Sequence, residues 1–193
     1  MRALTIEYHG IARSELEAAK KVAESGGVIE HRFVSLPDLM EAGDMHSGAF
    51  AGMPPTYIPM KNSIFYSHAA AYAEETGAEV LVGGHNRDDG RIFPDARRAF
   101  FAQLGKALRA GSPELKSRRT RIVLPLSRMS KAEVIWIASS QGVPLHLTWS
   151  CYRDGRTHCW DCDGCAARSA AFSNAGVRDP LNASPVGGKF LKQ

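Results

Sequence analysis

The stretch that decides the fold is Val80-Leu81-Val82-Gly83-Gly84-His85-Asn86-Arg87-Asp88-Asp89-Gly90. An uninterrupted apolar run such as its first three residues is typical of a parallel strand that is covered on both faces. This strand leads straight into a loop that is rich in glycine and in polar side chains. Because open parallel sheets bind their ligands at the carboxyl ends of the strands, the junction predicts both an α/β fold and the position of a binding site.

Strands and helices alternate on both sides of this stretch. Apolar, β-favouring runs predict further strands at residues 4–8, 28–36 and 122–124. Periodic apolar residues predict helices at about 14–25, 62–76, 94–110, 130–141 and 166–175. Ser14 to Glu17 and Ser130 to Glu133 match the capping box that opens a helix, and Pro94 suits a first helical position. The alternation predicts β-α-β units and hence a doubly wound parallel sheet.

The cysteines form one compact group near the C-terminal end. Cys151, Cys159, Cys162 and Cys165 are spaced C-x7-C-x2-C-x2-C, and closely spaced pairs of this kind supply thiolates to tetrahedral zinc. We therefore predict one zinc ion, and because four protein ligands leave no open position, its role is structural. An iron–sulfur cluster, disulfides and free thiols are the alternatives. His158 is surplus to a complete ligand set.

Length and composition are those of a globular protein. We predict a single α/β domain over residues 1–193, with a zinc-binding subregion at residues 148–180. No apolar run approaches the roughly 18 residues of a membrane span. The start MRALTIEYHG lacks the basic first segment and apolar core of a signal peptide. The chain is therefore predicted to be cytoplasmic, with no membrane partner.

The charge balance is a weak guide to partners. The formal net charge is +4, and four zinc-bound thiolates would reduce it. The one dense basic run is Lys116-Ser117-Arg118-Arg119-Thr120-Arg121. Such runs are most often solvated loops, so nucleic acid is not expected as a partner.

The loop after residues 80–82 holds candidate ligands for a phosphate or a metal ion. Glycine at position 84 permits close approach to the backbone, and Asn86, Asp88 and Asp89 can orient polar groups or hold magnesium through water. A local turn built on Asx hydrogen bonds is the alternative interpretation. Lys131 stands at the start of a predicted helix, where a cation is poorly placed unless it faces an anion.

The triplet Ser25-Gly26-Gly27 resembles the beginning of an S-G-G-x-D-S pyrophosphate loop. Such a loop has to follow a strand and open a helix, so that its amides point at the phosphates. Here the triplet follows a predicted helix, and we interpret it as the end of that helix.

Several further segments together carry a family resemblance. They are Tyr57-Ile58-Pro59-Met60-Lys61-Asn62, Phe93-Pro94-Asp95, Leu124-Pro125-Leu126, Ser130-Lys131-Ala132-Glu133, Thr148-Trp149-Ser150-Cys151-Tyr152, the remaining cysteines, Arg168, Phe172, Gly176 and Asp179-Pro180. In this order they resemble the 7-cyano-7-deazaguanine synthase family of the PP-loop ATP pyrophosphatase superfamily. The resemblance covers residues 3–180, and residues 148–165 are its specific part.

The resemblance implies an ATP-dependent carbon–nitrogen ligase of queuosine and archaeosine biosynthesis. Family members convert 7-carboxy-7-deazaguanine and ammonia to the nitrile, with ATP and magnesium as co-substrate. The carboxylate is adenylated, attacked by ammonia to give an amide, activated again and dehydrated. The implied site for ATP and the purine substrate lies at the strand ends, among Lys61, Asn62, Gly84, Asn86, Asp88, Asp89, Asp95 and Lys131. No residue is assigned a catalytic role, and a homodimer is a further expectation.

The chain also departs from the family pattern. The family's S-G-G-x-D-S loop, expected before residue 3, is absent, so we expect an N-terminally truncated chain that adenylates its substrate poorly. Tyr8-His9-Gly10, Lys61 and Ala96 replace the usual Tyr-Gly-Gln, Arg and Cys. The alternative functions are another PP-loop enzyme of tRNA modification, or a non-catalytic zinc-containing regulatory or RNA-binding relative.

Overall fold

The computed structural model describes residues 1–42, 50 and 52–182. This part of the chain divides into two compact units. The first contains Met1–Thr5, Ile11–Phe33 and the described residues from Lys131 onward, and the second contains Ile6–Gly10 and the described residues of Val34–Ser130. That the two units make up a single domain stays a prediction. Residues 43–49, 51 and 183–193 lie outside the described residues.

The described residues confirm the α/β class. The strands are β1 (Arg2–Tyr8), β2 (Glu30–Leu36), β3 (Val80–Val82) and β4 (Arg121–Val123). The helices are α1 (Arg13–Ser25), α2 (Lys61–Thr76), α3 (Asp89–Ile92), α4 (Arg98–Gly111), α5 (Pro113–Ser117), α6 (Lys131–Ser140) and α7 (Asp163–Ala175). β1 pairs with β2 and β3 pairs with β4, in two separate two-stranded sheets. The larger, doubly wound sheet stays a prediction. None of the helices in the described ranges is long and apolar enough to cross a membrane.

The pairing of β3 with β4 is parallel and organises the second unit. Leu81 lies opposite Ile122, and the ladder continues beyond β3 because the Gly83 N–H donates to the Val123 carbonyl over 3.0 Å. Parallel neighbours need a crossover connection, and α3, α4 and α5 provide it. The carboxyl ends of both strands therefore meet at one edge of this pair.

The core of the second unit lies where α2, α5 and β3 meet. Its buried centre is Ala70, Ala73 and Leu115, with Leu81 and Leu108 packed against it. The sequence analysis missed α5, although Ser112 and Pro113 mark its start: the Ser112 hydroxyl accepts a hydrogen bond from the Leu115 N–H over 3.1 Å. This cap places Leu115 in the core.

The predicted capping box of α1 is wrong. Ala12 precedes the helix, and Ser14 is already its second residue. The Ser14 N–H donates to the Asp154 carboxylate over 3.0 Å, and its hydroxyl donates to the Gly155 carbonyl over 2.9 Å. A carboxylate from the cysteine-rich segment thus occupies the capping position that the sequence pattern assigned to Ser14.

Two other helix ends were also predicted from the sequence. Pro94 opens a 3-10 turn, Pro94–Ala96, and not the long helix, because the backbone of Arg97 is extended and separates this turn from α4. The interpretation of Ser25-Gly26-Gly27 is confirmed. The Gly26 N–H donates to the Val22 carbonyl, and Gly27 has a φ of +63°, a left-handed conformation that glycine adopts without strain.

Gly83 makes the junction of β3 with its loop possible. A Cβ at this position would collide with the Tyr66 hydroxyl, whereas a Cβ at Gly84 would meet no atom within 4 Å.

We expect Gly83→Ala to destabilise the protein by about 1–3 kcal/mol, because overpacking a filled site forces its neighbours to move. Gly84→Ala is the matched control and should change the free energy of unfolding by less than about 0.5 kcal/mol. Urea unfolding of both variants measures the difference. Equal stabilities would contradict the close approach of Tyr66 to Gly83.

Candidate active site and metal centre

A cavity of about 180 Å³ lies in the second unit, beside the loop that follows β3. Its lining combines charged, polar and aromatic side chains from α2, the β3 loop and the 3-10 turn at Pro94. The lining residues are Thr56, Tyr57, Ile58, Lys61, Asn62, His85, Asp89, Phe93, Asp95 and Ala96. A concave site with a few converging polar groups is the usual form of a small-molecule pocket.

Asp95 holds the start of α2 in place. Its carboxylate accepts a hydrogen bond from the Asn62 N–H over 3.0 Å, and the Asn62 amide donates to the Asp95 carbonyl over 3.1 Å. Both residues are buried. The negative charge lies at the positive end of the α2 dipole, which stabilises the helix and reduces its attraction for another anion.

Asn86 forms the local turn that the sequence analysis left as an alternative. Its side-chain oxygen accepts from the N–H groups of Asp88 and Asp89 over 2.9 and 3.1 Å. Its amide nitrogen donates to the Asp89 carboxylate over 2.6 Å. Asn86 thereby caps the first turn of α3 and orients Asp89, which lines the cavity.

His85 is fixed in the cavity wall by aromatic contacts. Its ring centroid lies 4.6 Å from that of Phe101 and 5.8 Å from that of Tyr66. Burial, the largest effect, lowers the pKa of His85, and the Lys61 ammonium lowers it further, whereas Asp89 and Asp95 act in the opposite direction. The ring is therefore neutral at physiological pH. Burial also raises the pKa of Tyr66 to about 12.

Two aromatic rings provide the flat part of the cavity wall. Tyr57 and Phe93 are nearly parallel, with an interplanar angle of 8° and ring centroids 6.2 Å apart. Offset parallel faces of this kind suit a planar aromatic ligand. Lys61, at the first position of α2, adds a positive charge to the same cavity.

The structure brings together half of the residues predicted to contact ATP and the substrate. Lys61, Asn62, Asp89 and Asp95 line the cavity. Gly84, Asn86 and Asp88 belong to the same loop and are not part of its lining. Lys131 opens α6 in the first unit. For all eight, contact with a ligand stays a prediction.

The sequence analysis did not select three of the groups that shape the cavity. His85 was quoted only as part of the loop, and Tyr57 and Phe93 only as part of the resemblance. The loop that follows β3 was a usable signal for His85, but it does not distinguish His85 from the other polar residues of the same loop. No local signal could pair Tyr57 with Phe93, because their contact depends on tertiary structure.

In the first unit, the sulfur atoms of Cys151, Cys159, Cys162 and Cys165 all lie within 4.8 Å of one another. Two of the separations are 3.8 Å, from Cys159 to Cys165, and 4.0 Å, from Cys151 to Cys162. Zinc–sulfur bonds of about 2.3 Å in a tetrahedron place the sulfur atoms about 3.8 Å apart. The four thiols therefore fit a single tetrahedral metal ion, as the sequence predicted.

Local backbone groups favour the ionised form of one of these thiols, that of Cys162, whereas burial raises the pKa of the Cys165 thiol to about 12. Burial opposes the ionisation of Cys162, but backbone N–H groups of Tyr152 and Cys165 outweigh it and lower the pKa of the thiol to about 6. The Arg153 N–H donates to the Cys151 sulfur over 3.4 Å. Thiolates are the form that binds a metal, so the surroundings of Cys162 favour metal binding by this thiol.

Close packing joins the cysteine-rich segment to α7, which begins at Asp163 and not at residue 166 as predicted. A Cβ at Gly164 would collide with the Ser150 carbonyl, so only glycine permits this approach. His158 is buried between Trp149 and Trp160, at centroid distances of 4.4 and 5.1 Å. Its Nε2 accepts a hydrogen bond from the Ser150 N–H over 3.1 Å.

Arg168 is the buried centre of this region. Its guanidinium forms a bidentate pair with Asp179, with N–O distances of 2.7 and 2.8 Å. It also donates to the Thr148 hydroxyl over 2.8 Å and to the Leu145 carbonyl over 3.3 Å. The segment that leads into Cys151 is thereby tied to α7 and to the chain after it.

A charged and aromatic cavity beside a parallel strand, together with a cluster of four cysteines that could hold a metal ion, is typical of an α/β enzyme with a metal site. The family profile described as Queuosine biosynthesis protein QueC matches residues 1–176. The chain belongs to this family.

Curated relatives extend the match over most of their own length. The chain is 36% identical to the 7-cyano-7-deazaguanine synthase of Trichodesmium erythraeum, over 93% of this chain and 87% of the relative. It is also 36% identical to 7-cyano-7-deazaguanine synthase 2 of Desulfitobacterium hafniense, over 93% of this chain and 80% of the relative. The synthase of Acetivibrio thermocellus is again 36% identical, over 92% of this chain and 84% of the relative.

We expect purified protein to carry one metal ion per chain and Cys162→Ser to lose it. Metal binding that completes a fold contributes directly to folding free energy, so the variant should also melt at a lower temperature. Elemental analysis and thermal unfolding measure the two effects. Ser173→Ala, at an exposed position of α7, is the control. Stoichiometric metal in Cys162→Ser would contradict the four-thiolate site.

We expect Asp179→Asn to destabilise the protein by about 3–5 kcal/mol near neutral pH, because it leaves the buried Arg168 charge uncompensated. Burial alone would raise the pKa of Asp179, but hydrogen bonds from Arg168 and Leu181 lower it. The pair therefore stabilises the fold above the ordinary aspartate pKa of about 4, and this contribution disappears as the pH falls through the lowered value.

Urea unfolding at several pH values tests this expectation. The stability difference between the wild type and Asp179→Asn should be constant above about pH 5 and shrink below about pH 4. The double variant Arg168→Met/Asp179→Leu should lower the free energy of unfolding by less than the sum of the losses in Arg168→Met and Asp179→Leu. Simple additivity would show that the pair is not coupled.

Proposed function

We propose that this chain is an ATP-dependent carbon–nitrogen ligase that converts 7-carboxy-7-deazaguanine and ammonia to 7-cyano-7-deazaguanine in queuosine biosynthesis. Family membership and the names of its relatives support this activity. The observation that carries the proposal is the cavity, which combines a flat aromatic wall with a cation, a neutral imidazole and carboxylates.

The cavity suits each part of such a substrate. A deazapurine ring is planar and can stack on the faces of Tyr57 and Phe93. Its carboxylate, and later the adenylate phosphate, are anions that the Lys61 ammonium attracts. The amide of Asn62 and the carboxylates of Asp89 and Asp95 provide hydrogen-bonding partners for the edge of the ring.

ATP supplies the leaving group that a carboxylate lacks. The carboxylate oxygen attacks the α-phosphate, pyrophosphate departs, and magnesium stabilises the charge that develops on it. We propose Asp88 and Asp89, which follow β3, as candidates to hold that ion through water, with Gly84, Asn86 and Lys131 as the other predicted contacts to ATP. Carboxylates and water are the ligands that magnesium prefers.

The four cysteines would hold zinc in a structural role. Four thiolates fill the tetrahedron, so no position is left open for a substrate. A cluster of two or more iron atoms would divide the cysteines among those atoms, so some of the sulfur atoms would have to lie further apart than in this compact set. The four free thiols also fit the reducing cytoplasm, which we retain as the predicted location.

The doubly wound sheet, the homodimer and the absence of a nucleic-acid partner are likewise retained as expectations.

The test is to incubate the protein with 7-carboxy-7-deazaguanine, ammonium, ATP and magnesium and to detect the amide and the nitrile by mass spectrometry. A second reaction supplies the preformed acyl adenylate, which separates amide formation from the reaction with ATP. We expect Lys61→Ala to lower kcat/KM by about 10- to 100-fold, the effect of losing a charge-assisted contact of about 1.5–3 kcal/mol.

Lys106→Ala, on the exposed side of α4, is the matched control and should leave kcat/KM unchanged. If the wild-type protein forms neither amide nor nitrile from either starting material, the proposed activity is wrong. Transfer of sulfur in place of nitrogen would identify a different enzyme of the same superfamily.

A further inference from the structure

His85 is the one lining side chain whose hydrogen-bonding groups are free for a ligand and which is also a base. Its only contacts within the described ranges are ring contacts with Tyr66 and Phe101, and neither ring nitrogen has a hydrogen-bond partner there. The imidazole ring therefore packs between two aromatic rings in tilted contacts, while its nitrogen atoms remain available. A side chain in a fixed position whose nitrogen atoms have no hydrogen-bond partner is suited to exchange a proton with a bound molecule.

The other charged groups of the lining are less suited to accept a proton. The Asp95 carboxylate accepts the Asn62 N–H, and the Asp89 carboxylate accepts the Asn86 amide. Lys61 is an ammonium group without a lone pair. Tyr66 does not line the cavity and stays protonated, because burial raises its pKa to about 12. Among the described residues this leaves His85 as the available base.

The charges around His85 come from three elements. Lys61 belongs to α2, Asp89 to α3 and Asp95 to the 3-10 turn, and all three influence the pKa of the imidazole. Burial and Lys61 keep the ring neutral, which leaves a lone pair at physiological pH. After proton transfer, Asp89 and Asp95 would stabilise the imidazolium. The surroundings of His85 therefore favour the neutral imidazole before the proton transfer and stabilise the imidazolium after it.

Resting on the proposed function, we propose that His85 is the general base of the amide-forming step. The nitrogen of ammonia forms a bond with the acyl carbon of the adenylate, and the adduct nitrogen then carries a positive charge and is strongly acidic. An imidazole nitrogen of His85 accepts one proton from it. The bond from carbon to the AMP oxygen breaks, AMP leaves with its electron pair, and His85 returns the proton to water. The products are the amide, AMP and one proton.

Preformed acyl adenylate isolates this step from the binding and cleavage of ATP. With an ammonium salt as the source of ammonia, we expect His85→Phe and His85→Gln to form the amide about 100- to 10,000-fold more slowly than the wild type, which is the usual contribution of a general base. His85→Phe keeps a ring between Phe101 and Tyr66, so its melting temperature and its affinity for 7-carboxy-7-deazaguanine should change little. His68→Ala, at a histidine outside the cavity lining, is the control.

The pH profile and chemical rescue separate base catalysis from packing. At a constant concentration of free ammonia, the wild-type rate should rise with pH through an inflection below the ordinary histidine pKa of about 6.5, and this inflection should be missing in His85→Gln. His85→Ala leaves a space that free imidazole can enter. The rescued rate should increase with the basicity of the added compound across imidazoles of similar size.

The outcomes distinguish the two proposals. If the wild-type protein does not accelerate amide formation from the adenylate, the proposed function fails. If the wild type accelerates it and His85→Phe is equally fast, the activity stands and the role of His85 is wrong. If the rescued rate does not depend on the basicity of the added imidazole, the proposed role of His85 as a general base is also wrong. His85 would then contribute only to packing.

Discussion

The parallel pairing of β3 with β4 is the constraint on which the second unit depends. A parallel partner cannot be reached by a tight turn, so the chain between the strands has to leave the pair and return. That excursion carries α3, α4 and α5, and with them Asp89, Phe93 and Asp95. This single crossover thus supplies half of the residues that line the cavity, and residues 56–62, at and before the start of α2, supply the other half. The second structural requirement is Gly83, which lets Tyr66 reach the end of the strand.

The first unit relies on a different kind of interaction. Its cysteine-rich segment has little regular structure and is held by polar and metal-binding groups. Arg168 joins Thr148, Leu145 and Asp179 through a buried ion pair, and the closed set of four thiols lies just beyond it. Removing one member of such a network leaves another buried and unsatisfied. Stability in this unit is therefore concentrated in a few residues.

The sequence predicted the elements whose signals are local. The continuous apolar run of β3, the cysteine spacing and the glycines that end α1 each depend on neighbouring residues, and the structure confirms them. The start of α1 could not be predicted in this way, because its cap is Asp154. Pro94 was assigned to a helix because its ring fits a first helical position, but a 3-10 turn offers the same position. The extended Arg97 that separates the two has no sequence signature.

The candidate site shows the same division between local and distant contacts. Sequence position alone directed attention to the loop after β3, and Asp89 from that loop does line the cavity. Asn86 was equally plausible as a ligand, yet its side chain is used in the turn that orients Asp89. His85 needed the tertiary structure, because its neighbours Phe101 and Tyr66 belong to two different helices. The sequence pattern identifies the loop that contributes to the site. Tertiary packing determines which side chains of that loop line the cavity.

The contact of Ser14 with Asp154 has a consequence for synthesis on the ribosome. The two residues are 140 positions apart, so α1 emerges long before the carboxylate that accepts its first-turn N–H. At a synthesis rate of about 5–20 residues per second, Asp154 is made on the order of ten seconds or more after α1. During that interval its N-terminal turn is frayed and exposed to proteases and chaperones. A metal ion bound by the four cysteines would order the segment around Asp154, and its supply would then determine how long newly made chains remain vulnerable.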